Sequence, residues 1–276
     1  MQISVIVPTY NRAEWLADGV RSVLAQTMRP TEVLIVDDGS TDHTAQVVAQ
    51  LGREVPLTLQ YIYQENRGAA AARNTGIRSA QGKLLCFLDS DDRFAPKKIS
   101  CQYAMLQSSS CLISHTRERW FRRDRPLNQK KIHQPPQGDI FAASLGMCVV
   151  GMSTVMARRE LFDRYGYFDE TLPCCEDYDF WLRVGSQERF LLVDLPLTVK
   201  NGGRPDQLSV RYRIGMDKYR IHSLVKLLAG GWLSPEQAQL AARELERKCA
   251  IYGQGCIKHG RDEEGRAYLR LPERFR

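Results

Sequence analysis

The sequence predicts an α/β protein: a mainly parallel sheet covered by helices, followed by a helical C-terminal segment. Three observations carry this. Within the first hundred residues, apolar runs of strand length alternate with segments of helical periodicity. Most of those strand-like runs are apolar throughout, as in strands buried on both faces of a parallel sheet. After Gly202-Gly203 the strand-like runs cease. A chain of 276 residues suits one large α/β domain, or one with a helical appendage.

Each element has its own signal. Residues 3–7 (Ile-Ser-Val-Ile-Val) form a short strand ended by Pro8. Residues 12–26 carry Trp15, Leu16, Val20, Val23 and Leu24 at helical spacing. Residues 33–36 are a second strand, and 41–51 read as a helix. Leu57, Leu59, Tyr61 and Tyr63 alternate along a third strand, and 68–80 are an alanine-rich helix. Residues 84–88 are a fourth strand. Residues 114–138 break the pattern with Arg117, Arg119, Arg122, Arg123, Arg125, Lys130 and Lys131 among Pro126, Pro135 and Pro136. They read as a basic surface loop. Mixed structure resumes at Asp139. Residues 207–228 read as a helix. Ser234-Pro235-Glu236 is an N-cap with Pro in the first turn, opening a helix to about Leu271. In this tail Leu224, Val225, Leu227, Leu228 and Trp232 read as core packing, ahead of docking on a second subunit or a membrane.

Composition excludes several classes. Hydrophobic residues at 43% and charged residues at 26% argue against disorder and collagen-like repeats. No apolar run reaches the ~18 residues of a membrane span. The nearest, 145–157, is too short and contains Ser153 and Thr154. The N-terminus lacks a basic region and a cleavage site, so a signal peptide is not expected and the cytosol is. Lys plus Arg number 39 against 32 acidic residues, a net +7 that suits a nucleotide, a phospholipid surface or nucleic acid. The eight cysteines contain no C-x-x-C pair, which removes zinc-ribbon and thioredoxin readings and leaves free thiols. Cys86 reads as core, and Cys174-Cys175 as a structural pair.

Ligands of open α/β sheets bind beyond the carboxyl ends of the strands. Strand one delivers Pro8-Thr9-Tyr10-Asn11, strand two Asp37-Asp38-Gly39-Ser40, strand four Asp89-Ser90-Asp91-Asp92. Taken singly, each reads more simply as a turn, a helix cap or packing. At successive strand ends they line one crevice. Clustered carboxylates need a cation or donor to answer them. Asp89 and Asp91, two apart, suit a hard divalent ion that bridges to a diphosphate. There is no G-x-G-x-x-G after strand one. The run from Gly76 to Gly82-Lys83 fails as a P-loop by its spacing and by Leu84.

These residues resemble a known family. Val5 to Asn11, Val36 to Asp42, Asn66-Arg67-Gly68 through Ala72-Arg73-Asn74, Phe87 to Asp92 and Glu176 to Arg183 resemble family-2 glycosyltransferases of the GT-A fold, in order and spacing, over roughly residues 1–200. That fold is a Rossmann-like, mixed, mainly parallel sheet flanked by helices, here with a C-terminal helical extension. The resemblance implies an inverting, metal-dependent enzyme. It would move a sugar from a nucleotide-diphosphate donor to an acceptor hydroxyl, in surface polysaccharide or glycolipid assembly. It implies residues 1–115 as the nucleotide-sugar half, 116–203 as the acceptor half of the same domain, and 204–276 as the extension.

Residue by residue, the resemblance implies that Pro8, Thr9, Tyr10 and Asn11 line the nucleoside and that Asp38 contacts the base. A carboxylate accepts from a ring N–H of uracil, thymine or guanine; cytosine and adenine offer none, so UDP comes first, with dTDP and GDP behind. Arg73 lies near nucleotide and sugar, Asn74 less firmly. Asp89 and Asp91, helped by Asp92, hold Mn²⁺ or Mg²⁺. Asp177 is the base. Independently, Tyr178, Trp181 and Leu182 at i, i+3, i+4 mark a buried helix face. Glu176 and Asp177 then sit in its first turn, where the positive helix end favours a carboxylate. One departure stands out. Many relatives carry Gly-Gly-His before Asp-Gln-Leu-Ser, whereas here Arg204 follows Gly202-Gly203, ahead of Pro205-Asp206-Gln207-Leu208-Ser209. Arginine does not ligate a metal but pairs with phosphate, so Arg204 joins the donor-binding set. His222 reads as a surface helix residue.

The expected partners are a nucleotide-sugar donor and a glycan or lipid-linked glycan acceptor, in the cytoplasm or against the inner face of the membrane. The basic stretch, with Trp120 and Phe121, reads first as a solvated loop beside the acceptor. A second reading is contact with an anionic lipid-linked acceptor or membrane surface, and nucleic acid is the weakest. Two competing classes are a non-catalytic nucleotide-sugar-binding or scaffold protein, favoured only by Arg204, and a sugar nucleotidyltransferase, which would begin with a glycine-rich loop.

Overall fold

The first four strands owe their position to residues that are apolar on both faces. In the computed structural model, which describes residues 2–54, 58–122, 125–204 and 207–275, they are β1 (Ile3–Thr9), β2 (Glu32–Asp37), β3 (Thr58–Tyr63) and β4 (Leu84–Phe87). They pair in parallel in the order β3-β2-β1-β4 and are linked by α1 (Ala13–Leu24), α2 (Thr44–Glu54) and α3 (Ala69–Ser79). Alternation sorts their side chains. Val5, Val7, Val33, Ile35 and Cys86 face a core with α1 and α2. Ile6, Leu34, Leu85 and Phe87 face a second core with α3.

The chain then builds the other half of the sheet. Its elements are β5 (Arg93–Phe94), α4 (Lys98–Gln107), β6 (Ile113–Arg122), β7 (Arg125–Leu127), α5 (Phe141–Gly146), β8 (Met156–Arg158), α6 (Glu160–Tyr165), α7 (Glu176–Gly185) and β9 (Phe190–Gly202). Among the described residues one nine-stranded sheet results, continuing from β4 through β8, β6 and β9 to β5, with β7 on β6. The β6–β9 pair is parallel, while β4–β8, β6–β8, β5–β9 and β6–β7 are antiparallel. The sheet is therefore mixed, as expected. Among the described residues four α-helices follow, α8 (Leu208–Arg211), α9 (Met216–Ala229), α10 (Pro235–Lys258) and α11 (Asp262–Arg270), with a short 3-10 turn after them. Leu224, Leu227, Ala241 and Leu245 join Phe141, Tyr178 and Leu182 in a third core, so the tail packs on α5 and α7. Trp232 stays outside it, 44% exposed. Ser234 makes the expected cap: it accepts from Gln237 N at 3.2 Å, and Gln237 answers its N–H, with Pro235 opening the helix. No helix among the described residues is long and apolar enough to cross a membrane.

The structure corrects several expectations. Pro8 does not end the first strand; it pairs with Val36. Leu88 N donates to Ile6 O and Asp38 N to Thr9 O, so even-numbered residues face β4 and odd ones β2. The nitrogen of Pro8 therefore points past the end of the β4 ladder, where no donor is required. The helix expected from residue 41 begins at Thr44, because Asp42 accepts from the Thr44 N–H and hydroxyl, and Thr41 N donates to Asn11 Oδ1. The basic stretch is not a loop at its start. Residues 113–122 are an interior strand whose buried end carries Ser114, His115 and Thr116. Ser114 is answered by Gln102, His115 Nε2 by Pro136 O and Thr116 by Thr198, so burial there needs no apolar pattern, although His115 Nδ1 has no hydrogen-bond partner. The helix expected over 207–228 is two, broken at Gly215 (φ 91°), and the next breaks at Gly260 (φ 74°). Leu57, Arg123, Pro205 and Asp206 lie outside the described residues.

Gly76 shows how closely α3 lies on β1. A Cβ there would sit 2.4 Å from Ile6 Cγ2. On the other face Lys98 is fully buried. It donates to Gln102 Oε1 at 2.7 Å, and its ammonium sits 4.1 Å from the Phe94 ring centroid.

Burial pulls the Lys98 pKa down to about 8, below the ~10.4 of an unfolded chain. Between those values the unfolded state binds more protons, so folding stability gains as pH rises. Urea unfolding should show wild type gaining stability relative to Lys98→Met from pH 8 to pH 10. A parallel pH dependence in the two proteins would contradict this.

Candidate active site

The strand-end residues meet in one crevice of about 1280 Å³. Its walls include Pro8, Thr9, Tyr10, Asn11, Asp38, Arg73, Asp89, Asp91, Asp177, Lys200 and Arg204. Asn11 and Gly39 shape the floor. Asn11 takes φ 51°, which its short amide side chain tolerates, and its N–H donates to Ser40 Oγ at 2.8 Å. Gly39 takes φ 82°, and a Cβ there would lie 2.9 Å from Asn66 N. The loops after β1 and β2 are thereby locked together.

Asp37 and Asp38 divide their work. Asp37 is structural: it accepts from Tyr61 Oη at 2.6 Å and Ser40 N at 2.8 Å. Asp38 Oδ1 accepts from Gln64 Nε2 (2.7 Å) and Arg67 N (2.9 Å), and Oδ2 from Gly68 N (2.8 Å). Asp38 thus sits on the amides that precede α3, with its second oxygen less subscribed. The Tyr10 ring is 45% exposed at the rim.

At the end of β4 every carboxylate has an answer from the chain itself. Arg73, buried on α3, donates to Asp89 Oδ1 at 2.9 Å and forms a close ion pair with Glu176. Burial alone pushes Asp89 up, but Arg73 and Lys200 beside it reverse this and hold it below the usual carboxylate range. Asp91 pairs with Arg204 and accepts from Gln207 Nε2 at 3.3 Å. The Arg204 guanidinium also lies 4.5 Å from the Trp15 ring centroid. Lys200, on β9, lies 3.8 Å from Glu118. Glu118, with Asp92, Asp89 and Asp91, holds its ammonium well above the usual lysine range against the effect of burial.

Asp92 is not on the crevice wall. Its carboxyl points inward, accepting from Ser153 Oγ at 2.7 Å and Asn201 N at 3.3 Å. Burial pushes it well above the ordinary range; Lys200 opposes this, while Asp91 and Asp89 add to it. It is brought near Asp89 and Asp91 in sequence but not into their ligand direction. Among the described residues no third His, Cys, Asp or Glu joins Asp89 and Asp91 in a metal-ligand set. With both carboxylates in arginine ion pairs, these residues fit a tightly held divalent ion poorly.

Across the crevice, α7 begins at Glu176 after Cys175, which takes a left-handed φ of 64°. Tyr178 and Leu182 anchor one side of α7 in the third core, and Phe180 and Trp181 the other side in the sheet core. Asp177, in the first turn, is partly exposed. Its Oδ1 accepts from Tyr178 N at 2.7 Å, and the Cys148 thiol donates to Oδ2 at 3.4 Å. Burial first, and then the Asp177 charge, push the Cys148 thiol well up, which keeps it a donor. The eight cysteines are free thiols, and His222 is exposed on α9. Asn74 does not line the crevice; it binds Phe168 and the wall residue Glu170.

Sequence reasoning did not find Lys200 or Cys148, nor Glu176 as the partner of Arg73. Lys200 carries no motif; the pairing of β9 with β6 and β5 and the bonds of Asn201 to Asp91 and Asp92 bring it to the end of β4.

The family model of glycosyl transferase family 2 matches residues 4–166. An uncharacterized glycosyltransferase of Rickettsia conorii is 34% identical over 71% of this chain, and the chain spans 32% of that relative's length. The Escherichia coli UDP-Glc:α-D-GlcNAc-diphosphoundecaprenol β-1,3-glucosyltransferase is 30% identical over 67% of this chain and 70% of its own. The fold matches Staphylococcus aureus TarS 1–349, solved with UDP-GlcNAc, at a TM-score of 0.75 and 21% identity, over 99% of this chain and 79% of that one. This chain belongs to glycosyl transferase family 2, and its GT-A architecture is shared with TarS.

Arg73 ties the end of β4 to the first turn of α7. Arg73→Met leaves the buried Glu176 without its cation and the half-buried Asp89 with Lys200 alone, so stability in urea unfolding should fall by about 3 kcal/mol. Adding Glu176→Gln should recover at least about 1 kcal/mol through coupling of the pair. Strict additivity would contradict the bridge.

Proposed function

We propose that this chain transfers a glycosyl group from a UDP-sugar to a hydroxyl of a glycan or lipid-linked glycan, with inversion at the anomeric carbon. The observation that carries the reading is the convergence of Tyr10, Asp38, Asp89 and Asp91 on one crevice with Asp177 on its far wall. The E. coli relative, named for a UDP-Glc donor and a diphosphoundecaprenol-linked acceptor, supports it. So does the UDP-GlcNAc complex of TarS. The donor is held by residues 1–115, the acceptor by 116–203, and residues 204–276 brace α7 while contributing Arg204.

The uracil lies between the Tyr10 ring and the Asp38 carboxylate. Asp38 Oδ2, with one backbone donor, retains an acceptor site for a ring N–H. A base without that N–H leaves a buried carboxylate oxygen unmatched, which is the stronger form of discrimination. The diphosphate runs toward the end of β4, and the sugar carbon toward α7.

Asp177 is the general base. Its Oδ1 is fixed by Tyr178 N, and Oδ2, which accepts only a long bond from the Cys148 thiol, keeps a lone pair to face the acceptor. As the acceptor oxygen attacks the anomeric carbon from the side opposite the diphosphate, its proton passes to Asp177. The new C–O bond forms while the bond to the diphosphate oxygen breaks, and that electron pair leaves with UDP.

Asp177→Asn keeps the shape and removes the base. Transfer should drop by about 10²–10⁴-fold, while calorimetric UDP affinity stays within about twofold of wild type. Turnover near wild type would overturn Asp177 as base.

A further inference from the structure

We propose that Arg204, assisted by Lys200, supplies the positive charge that holds the donor diphosphate, so that donor binding does not require a divalent metal ion. The inference rests on the proposed donor reading and concerns how the same crevice answers the phosphates.

The starting point is Asp91. In a metal-using crevice this carboxylate would be a ligand; here its Oδ2 carries an ion pair with Arg204 and a hydrogen bond from Gln207. A divalent ion at Asp91 would have to displace a guanidinium or sit against it. Arg204 belongs to the same chain and is seated on the Trp15 ring, so it is present whether or not metal is. The competition therefore favours arginine. Asp89 offers no easier site, because its Oδ1 is bound to buried Arg73. Asp92 turns inward to Ser153 and Asn201.

The same contacts give Arg204 a direction. A planar guanidinium carries N–H donors on more than one edge and can serve a carboxylate and a phosphate together. Asp91 and Trp15 orient the group, and the crevice they share is the one lined by Asp38 and Asp177. Lys200 lines it as well, a compact ammonium facing the same strand end. Charge building on the leaving diphosphate meets these two cations, as it would meet a metal elsewhere. Asp91 becomes a positioning residue for Arg204 instead of a ligand.

UDP titration of the full chain in Mn²⁺ and in EDTA tests this. For wild type the two affinities should agree within about threefold. Arg204→Ala should weaken binding in EDTA by about tenfold or more, and Mn²⁺ should recover part of the loss because Asp91 is released. The EPR signal of Mn²⁺ added without nucleotide should stay that of the free ion with wild type and broaden with Arg204→Ala. A wild-type affinity that collapses about tenfold in EDTA, or Mn²⁺ captured by wild type alone, would overturn the inference. If wild type binds UDP under neither condition, the donor reading itself fails. Should Arg204→Ala not fold, Arg204→Gln and Lys200→Gln carry the same comparison.

Discussion

Carboxylates gather at the end of a parallel sheet only where cations answer them, and the architecture follows from how this chain meets that requirement. Arg73 is the central answer. Its buried guanidinium bonds Asp89 from the end of β4 and Glu176 from the first turn of α7. Those two residues come from opposite sides of the crevice, and the same contacts that neutralise charge fix the distance between its walls. Asn74, the next residue, binds the backbone of Phe168 on the approach to α7 and adds a second tie.

Helix α7 then needs support on both flanks. Phe180 and Trp181 enter the sheet core, while Tyr178 and Leu182 enter the core built with α9 and α10. The C-terminal helices thus reach the site through α7: they hold the element that carries Asp177. Arg204 and Gln207, at the junction between sheet and tail, work on the other wall through Asp91. A substitution in the tail core should be felt at α7, which shares it.

Much of the fold is legible in the sequence because burial on both faces writes itself as uninterrupted apolar runs. Residues 3–7, 33–36 and 84–88 could hardly be anything but interior strands, and the carboxyl ends of the last two lead directly to Asp38, Asp89 and Asp91. Strand β6 is hidden for the opposite reason. Its buried end is Ser114, His115 and Thr116, stabilised by Gln102, Pro136 O and Thr198, and its outer end is basic. No hydropathy pattern marks such a strand. The sequence misdirects at Asp92, because the orientation of that carboxyl depends on Ser153 and Asn201, which lie far along the chain. The Arg204–Asp91 pair is half legible: the arginine stands out as a departure, but its partner emerges only in three dimensions.

In the proposed reading the crevice is a nucleotide-diphosphate site in which Asp38 recognises the base. Calorimetric titration of the purified chain with UDP, GDP, dTDP and CDP tests that most directly. UDP should bind once per chain, GDP and dTDP should rank behind it, and CDP, lacking the ring N–H, should be weaker than UDP by about tenfold or more. Equal binding of CDP and UDP would remove Asp38 from base recognition, and binding of none of the four would contradict the donor site itself.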